Sequence, residues 1–302
     1  MKDTQVSSTA LTVIQGLLFS ADYSQDGHLV SPEQSEACRR VLASIPQGKK
    51  RLKQLDSVVY RTLAPLMEYA LVPGITRHYV LRKHHIEQTT RTLLNQQISQ
   101  IVVLGAGFDT LGWRLSQSHP HLTIIEIDHP NTSELKQAAL VDKPVDNLHF
   151  LAVDLGKEPL PKVLERAPFY DPAQKSLFIC EGVLMYLPEV AVQALLGFLR
   201  QVNQHPIHLL FSALEPMGSP QNNTRWLLQQ YLRFAGEGLM WDKPQAQMES
   251  FLAENGFDLL ESDNGATLKS RYLEEDAAGV VHLGEYLVLS RALPINAQKA
   301  TL

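Results

Sequence analysis

The sequence predicts an α/β protein built on a doubly wound, mostly parallel, seven-stranded sheet with a helical N-terminal cap. Three observations carry this prediction. The stretch "IVVLGAGFDTLGWRL", Ile101 to Leu115, runs from an apolar strand through a Gly-Ala-Gly turn into a helical pattern. Beyond it, short β-rich runs alternate with helical segments, as they do in sheets covered by helices on both faces. Before it, residues 1–97 carry helical patterns and no convincing strand.

Composition bounds the answer. The chain of 302 residues suffices for one large domain or a core with an appended subdomain. Hydrophobic residues make up 44% and charged residues 20%, within the globular range. A formal net charge of −5 gives no global pull toward nucleic acid or acidic membranes. The two cysteines, Cys38 and Cys180, form no CxxC pair, which argues against a structural zinc site or a disulfide framework and fits a reducing cytoplasm. The apolar opening "ALTVIQGLLF" is interrupted by Gln15 and Gly16 and lacks a basic flank, so it reads as a packed helix rather than a signal peptide. No run approaches the roughly 20 apolar residues of a spanning helix.

The elements follow in order. In "SPEQSEACRRVLASI", Ser31 caps a helix whose first residue is Pro32. "YRTLAPLMEYALV" is a helix broken or bent near Pro65. "TRHYVLRKHHIEQTTRTLLNQQ" is another, with Thr76 as a possible cap. From Ile101 the strands are "IVVLG", "LTIIEID", "LHFLAVD", "SLFICEG", "IHLLFSAL", "FDLLES" and "EYLVLS". The first five are nearly continuous apolar runs, suited to parallel strands buried on both faces. "PEVAVQALLGFLRQV" sets Val192, Leu195, Leu196, Leu199 and Val202 on one helical face. "AQMESFLAENG" does the same with Met248, Phe251 and Leu252 and stops at Gly256. The division is thus a helical cap over 1–97 and a sheet domain over 98–302, with a helical insertion around 217–243. Trp226, Tyr231, Phe234 and Trp241 in that insertion offer a wall for a pocket, although core packing is the expected role of each.

The glycine turn asks for a ligand. Gly105 and Gly107 allow close approach of backbone to a cofactor. The third glycine of a dinucleotide fingerprint is replaced by Thr110, which weakens a nicotinamide reading. Asp109 near the helix start would repel a pyrophosphate and suits an ammonium or sulfonium group. Asp128 ends the second strand 21 residues after Gly107, the place of a ribose-binding carboxylate. Helix capping is the alternative for Asp128 and the favoured role for Glu126. Asp154, at the end of the third strand, could meet an adenine amino group with Leu155 against the ring, or be a simple turn Asp. Glu181 at the end of the fourth strand would be costly as an unpaired buried charge, so a site role is expected. Tyr186 lies above the same edge, as a site residue or a packed aromatic.

The segments "VVLGAGFDTLGWRL", "IEIDHP", "AVDL" and "CEGVLMYL" resemble, in order and spacing, the leucine carboxyl methyltransferase family, and the likeness runs from about Arg77 to Phe257. The opening "VSSTALTVIQGLLF" is similar to that of bacterial members assigned to polyketide biosynthesis. The resemblance implies a Rossmann-like methyltransferase sheet and S-adenosylmethionine as cofactor. It implies cofactor contacts from Gly105 and Gly107, a ribose contact from Asp128, adenine contacts from Asp154 and Leu155, and Glu181 near the methionine amino group. A Y-x-x-R pattern matches "HYVLR" and implies that Arg82 pairs with a carboxylate of the cofactor or of the acceptor. For a family lysine in the N-terminal region, Lys49, Lys50 and Lys53 are equal candidates.

An activated methyl group needs mainly proximity and alignment. A carboxylate acceptor requires no base, whereas a hydroxyl acceptor does. Among His78, His84, His85 and His129 none is singled out; each is expected to be solvated, as is the "RKHH" cluster. The leading reading is an O-methyltransferase acting on a polyketide-like small molecule, with Arg82 and Tyr186 as acceptor-side candidates. A methyltransferase for a protein C-terminal carboxylate, an NAD(P)-dependent oxidoreductase and a non-catalytic binding module are the alternatives. Neither nucleic acid, membrane nor metal is expected as a partner.

Overall fold

The computed structural model describes residues 8–142, 145–225 and 238–295. Trp226, Tyr231 and Phe234 of the predicted insertion lie outside the described residues. All seven predicted strands form: β1 (Gln100–Leu104), β2 (Thr123–Asp128), β3 (Leu148–Ala152), β4 (Ser176–Cys180), β5 (Ile207–Leu214), β6 (Asp258–Asn264) and β7 (Glu285–Ala292). They make one sheet of order β3-β2-β1-β4-β5-β7-β6. β1 to β5 are parallel, and β7 runs antiparallel to both β5 and β6.

The apolar runs are continuous because both sheet faces are covered. Successive residues of a strand point to opposite faces. Ile101 and Ile124 therefore join one core with Leu81 and Leu115, while Val102, Leu104, Ile125 and Ile127 join the other with Val192, Leu196 and Leu199. Strand order reverses between β1 and β4, and the crevice at their carboxyl ends is the place where such sheets bind ligands. β6, at the sheet edge, carries a register shift between Leu259 and Glu261 and buries only Asp263.

Five helices precede the sheet: α1 (Ser8–Tyr23), α2 (Pro32–Ser44), α3 (Pro46–Asp56), α4 (Val58–Leu71) and α5 (Ile75–Leu94). Ser31 caps α2 as expected, accepting from the Gln34 N–H at 3.1 Å, with Pro32 in the first turn. Leu11, Ile14, Leu17 and Leu18 make α1 a packed helix. Two local expectations are corrected. Of the break or bend expected near Pro65, the break does not occur: Pro65 sits inside α4, where no residue is buried and water can take the carbonyl that Pro65 leaves unpaired. Thr76 does not cap α5, which starts after Gly74 in the left-handed region (φ 77°); the Thr76 hydroxyl instead donates to Glu68 and ties α4 to α5.

The helical core includes Phe108 from the glycine turn and Ala139 and Leu140 from α7 (Pro130–Leu140), so the N-terminal helices and the elements around the sheet share apolar packing. α6 (Leu111–Ser118) follows the glycine turn, α8 (Leu160–Glu165) follows β3, and α9 (Glu189–Val202) buries Val192, Leu196 and Leu199. The helix Met248–Glu254 buries Met248, Phe251 and Leu252, and Trp241 packs against Phe251 with ring centroids 5.7 Å apart. Cys38 and Cys180 are buried free thiols, and burial pushes both up to about 12. No described helix is long and apolar enough to cross a membrane.

Candidate functional site

The carboxyl edge of β1 and β2 assembles the predicted turn. Gly105 and Gly107 both have positive φ, 66° and 52°. Only glycine takes these values without strain. The two differ in their surroundings. A Cβ on Gly105 would lie 2.3 Å from Val183 Cγ2, in the loop after β4, whereas one on Gly107 would make ordinary contacts, with Ala10 Cβ of α1 at 3.6 Å and the Gly105 carbonyl oxygen at 4.0 Å. The close approach at Gly105 is therefore made by the protein itself.

Asp128 stands beside this turn. The backbone N–H groups of Gly107 and His129 donate to its two carboxylate oxygens at 2.5 and 2.6 Å. Each oxygen keeps a second lone pair for a ligand hydroxyl. Burial pushes the Asp128 carboxyl above its ordinary value, and the two N–H donors offset only part of that. Glu126 caps no helix: it is buried and paired with Lys136 of α7 at 2.6 Å, because an acid pointing under β2 needs a partner there. Asp154 accepts from the Gly156 N–H at 3.0 Å in a turn after β3, 4.0 Å from His129 Nε2, and Leu155 is packed partly into the core.

The rest of the edge is a buried ionic cluster. Lys83 Nζ lies 2.7 Å from Asp109 Oδ2 and 2.8 Å from Glu181 Oε2. Arg82 Nε lies 2.9 Å from Glu181 Oε1, and Arg82 Nη1 donates to Glu285 Oε2. His78 Nε2 is 3.1 Å from the same Glu285 oxygen. Burial, the largest single influence, opposes ionisation of Asp109 and Glu285, but Lys83 with Lys136 and Arg114 at the first, and Arg82 with His78 and the Ser212 hydroxyl at the second, together outweigh it, so both carboxyls are held below the carboxylate range. Burial likewise acts against the Arg82 charge, and Glu285 and Glu181 reverse it, raising Arg82 above its ordinary value. Three carboxylates thus face two cations, besides His78.

This cluster corrects several expectations. Asp109 is already paired with Lys83, so its charge is not free for a ligand. "RKHH" is no solvated face: Arg82 and His85 are buried and Lys83 is nearly so. His78 is fully buried as well, 5.5 Å from the His282 ring. His84 contacts the Leu29 carbonyl at 3.1 Å. Tyr186 ends a short turn after Glu181 and is 38% exposed. Trp241 is core. Lys49, Lys50 and Lys53 are exposed on α3. Lys83 and Glu285 escaped sequence reasoning. For Glu285 a signal existed: like Glu181, it is an acid abutting an apolar strand, and the antiparallel direction of β7 brings it to the carboxyl edge opposite Leu214. Surface hollows of about 470 and 510 Å³ lie elsewhere, beside Tyr23 and Arg61 and between α8 and α9.

The fold and the edge define a Rossmann-like domain with a glycine turn, an acid at the end of β2 fixed by two backbone N–H groups, and three carboxylates against two cations. The family model "Leucine carboxyl methyltransferase" matches residues 29–200, and the chain belongs to that family. A Mycolicibacterium paratuberculosis protein described as "Putative S-adenosyl-L-methionine-dependent methyltransferase" is 28% identical over 220 residues, 71% of this chain and 68% of that one. A Mycobacterium marinum protein of the same description is 29% identical over 166 residues, 54% of this chain and 48% of that one, so the match spans about half of that relative's length. Among solved structures, a "putative methyltransferase" from Thermobifida fusca shares the fold with TM-score 0.58 at 20% identity, covering 84% of this chain and 94% of that one. A family protein of unassigned function from Streptomyces avermitilis does so with TM-score 0.58 at 16% identity, covering 84% and 96%.

The two glycines should respond differently to alanine. Gly107→Ala is expected to lose about 1–2 kcal/mol from the left-handed backbone alone. Gly105→Ala should lose about 1–3 kcal/mol more, because its Cβ overlaps Val183. Denaturant unfolding of both variants checks this, and equal losses would show that Val183 does not press on the turn.

Proposed function

We propose that the protein is an S-adenosylmethionine-dependent O-methyltransferase acting on a hydroxyl of a small, polyketide-like molecule. The observation that carries the cofactor is Asp128, fixed by two backbone N–H groups beside the turn of Gly105 and Gly107. The relatives' description points the same way, and family membership counts against the nicotinamide reading. The cofactor supplies an activated methyl group on a sulfonium. The chain's part is to hold and orient: Asp128 for the ribose hydroxyls, Asp154 and Leu155 for the adenine, and the cluster around Glu181 for the cationic methionine end. Bound S-adenosylmethionine has two cationic groups and one carboxylate, so its net charge complements three carboxylates facing two cations.

The pairing of Arg82 favours a hydroxyl over a carboxylate acceptor. Arg82, the candidate for gripping an acceptor carboxylate, is opposed by Glu181 and Glu285. Arg82 therefore offers no unpaired charge to an acceptor carboxylate, and a neutral hydroxyl needs none.

Calorimetry with S-adenosylhomocysteine tests the cofactor reading. Asp128→Ala removes a charged hydrogen-bond acceptor worth about 1.5–3 kcal/mol per bond, so affinity should fall at least tenfold. Wild-type affinity in the variant, or tight NAD binding by the wild type, would overturn it. The acceptor reading is tested by the pH dependence of methyl transfer. A hydroxyl handled by a histidine should give a rate that rises near a pKa of roughly 6.5, and a rate flat from about pH 6 to 8 would indicate a carboxylate.

A further inference from the structure

A second cluster of polar side chains lies at the lateral edge strand of the sheet, where α5 meets β6. His85 comes from α5, and Glu261 and Asp263 come from β6. The register shift just before Glu261 re-aims this part of the edge strand. Two residues apart on a strand, Glu261 and Asp263 project to the same face. One nitrogen or oxygen from each of the three residues lies within 4.8 Å of the other two.

Asp263 is only 4% exposed, yet its Oδ2 has no hydrogen-bond partner among the described residues. That oxygen faces His85 Nε2 at 3.6 Å. Thr89 Oγ1 is 3.4 Å from the same nitrogen. The other ring nitrogen, Nδ1, is 2.8 Å from the Tyr272 hydroxyl. A metal ion on Nε2 selects the tautomer whose Nδ1–H donates to that hydroxyl, which sets a lone pair opposite the anionic oxygen once the donor-only Nη1 of Arg271, 3.3 Å from Nδ1, has moved away. Arg271 closes the cluster from outside. Its Nη2 donates to Asp263 Oδ1 at 2.9 Å, and its Nη1 lies 3.4 Å from Glu261 Oε2 and 3.3 Å from His85 Nδ1. These contacts leave Oδ2 and Nε2 facing each other. One guanidinium against two carboxylates also leaves an excess negative charge. At 42% side-chain exposure, Arg271 can yield toward solvent when a dication arrives.

We infer that His85, Glu261 and Asp263 form a binding site for a divalent first-row transition-metal ion, Zn²⁺ being the probe of choice. One imidazole and two carboxylates are a ligand set such an ion accepts, with a fourth position left for water. Donors about 2.0–2.2 Å from a tetrahedral ion lie about 3.4 Å apart, close to the 3.6 Å between Nε2 and Oδ2. Tyr272 holds the second ring nitrogen, as partners of metal-bound histidines do. Half-exposed Glu261 gives access from solvent. The metal ties α5 to the edge strand, and α5 is the helix that carries His78, Arg82 and Lys83.

The test uses the full chain without a histidine tag, freed of metal by chelation and dialysis. Calorimetric titration with Zn²⁺ should show one ion per chain with micromolar or tighter affinity, and the thermal midpoint should rise with Zn²⁺. Asp263→Asn should weaken binding at least tenfold, and Glu261→Gln, at an exposed position that leaves the fold intact, should weaken it measurably. Binding to the wild type that is absent, or no tighter than in Glu261→Gln, would overturn the site, whether or not Asp263→Asn folds.

Discussion

The carboxyl edge of this protein depends on one interaction: the ion-paired cluster in which Arg82 and Lys83 of α5 face Asp109, Glu181 and Glu285. Burying charge costs several kcal/mol per ion, and that cost is met only when each ion has its partners. The cluster therefore works as a unit. It draws together the helix before β1, the glycine turn, the end of β4 and the start of β7. Val80, Leu81 and Ile86 of the same helix fill the apolar cores. α5 is thus held by oil on some faces and by charge on another, which fixes its rotation against the sheet.

The glycine turn lies between this cluster and Asp128. Gly105 lets Val183 come close, and Gly107 donates to Asp128 while lying under Ala10 of α1. The N-terminal helices are consequently part of the edge, because Phe108 from the turn is packed among α1 and α2 side chains. A ligand held at Asp128 would touch a turn whose shape is set by both these helices and the β4 loop.

The strands were legible because burial on both faces leaves continuous apolar runs, and the acids Asp128, Asp154 and Glu181 stood out because they end such runs. Of the cations, Arg82 stood out only through its family resemblance, and Lys83 did not stand out. "RKHH" looks locally like a solvated helix face, since the carboxylates that neutralise it lie at positions 109, 181 and 285, far away in sequence. His85 is hidden for the same reason, its neighbours being Asp263 and Tyr272. Thr76 has the residue type of a cap, but a contact with Glu68 on the preceding helix claims its hydroxyl. Glu126 reads as a cap only while Lys136 is unseen beneath it. In each case a tertiary partner overrides a local preference.

The central claim is that excess negative charge in the cluster, rather than a free Arg82, receives the cofactor. Glu285→Gln separates the two, because it removes one of three carboxylates and at the same time loosens Arg82. The decisive measurement is the dissociation constant for S-adenosylmethionine in wild type and in folded Glu285→Gln at low ionic strength. This account predicts weaker binding by the variant, with the difference shrinking as salt screens the charge. Tighter binding by Glu285→Gln would contradict it, and would mean that Arg82 has to leave Glu285 to hold the cofactor's carboxylate.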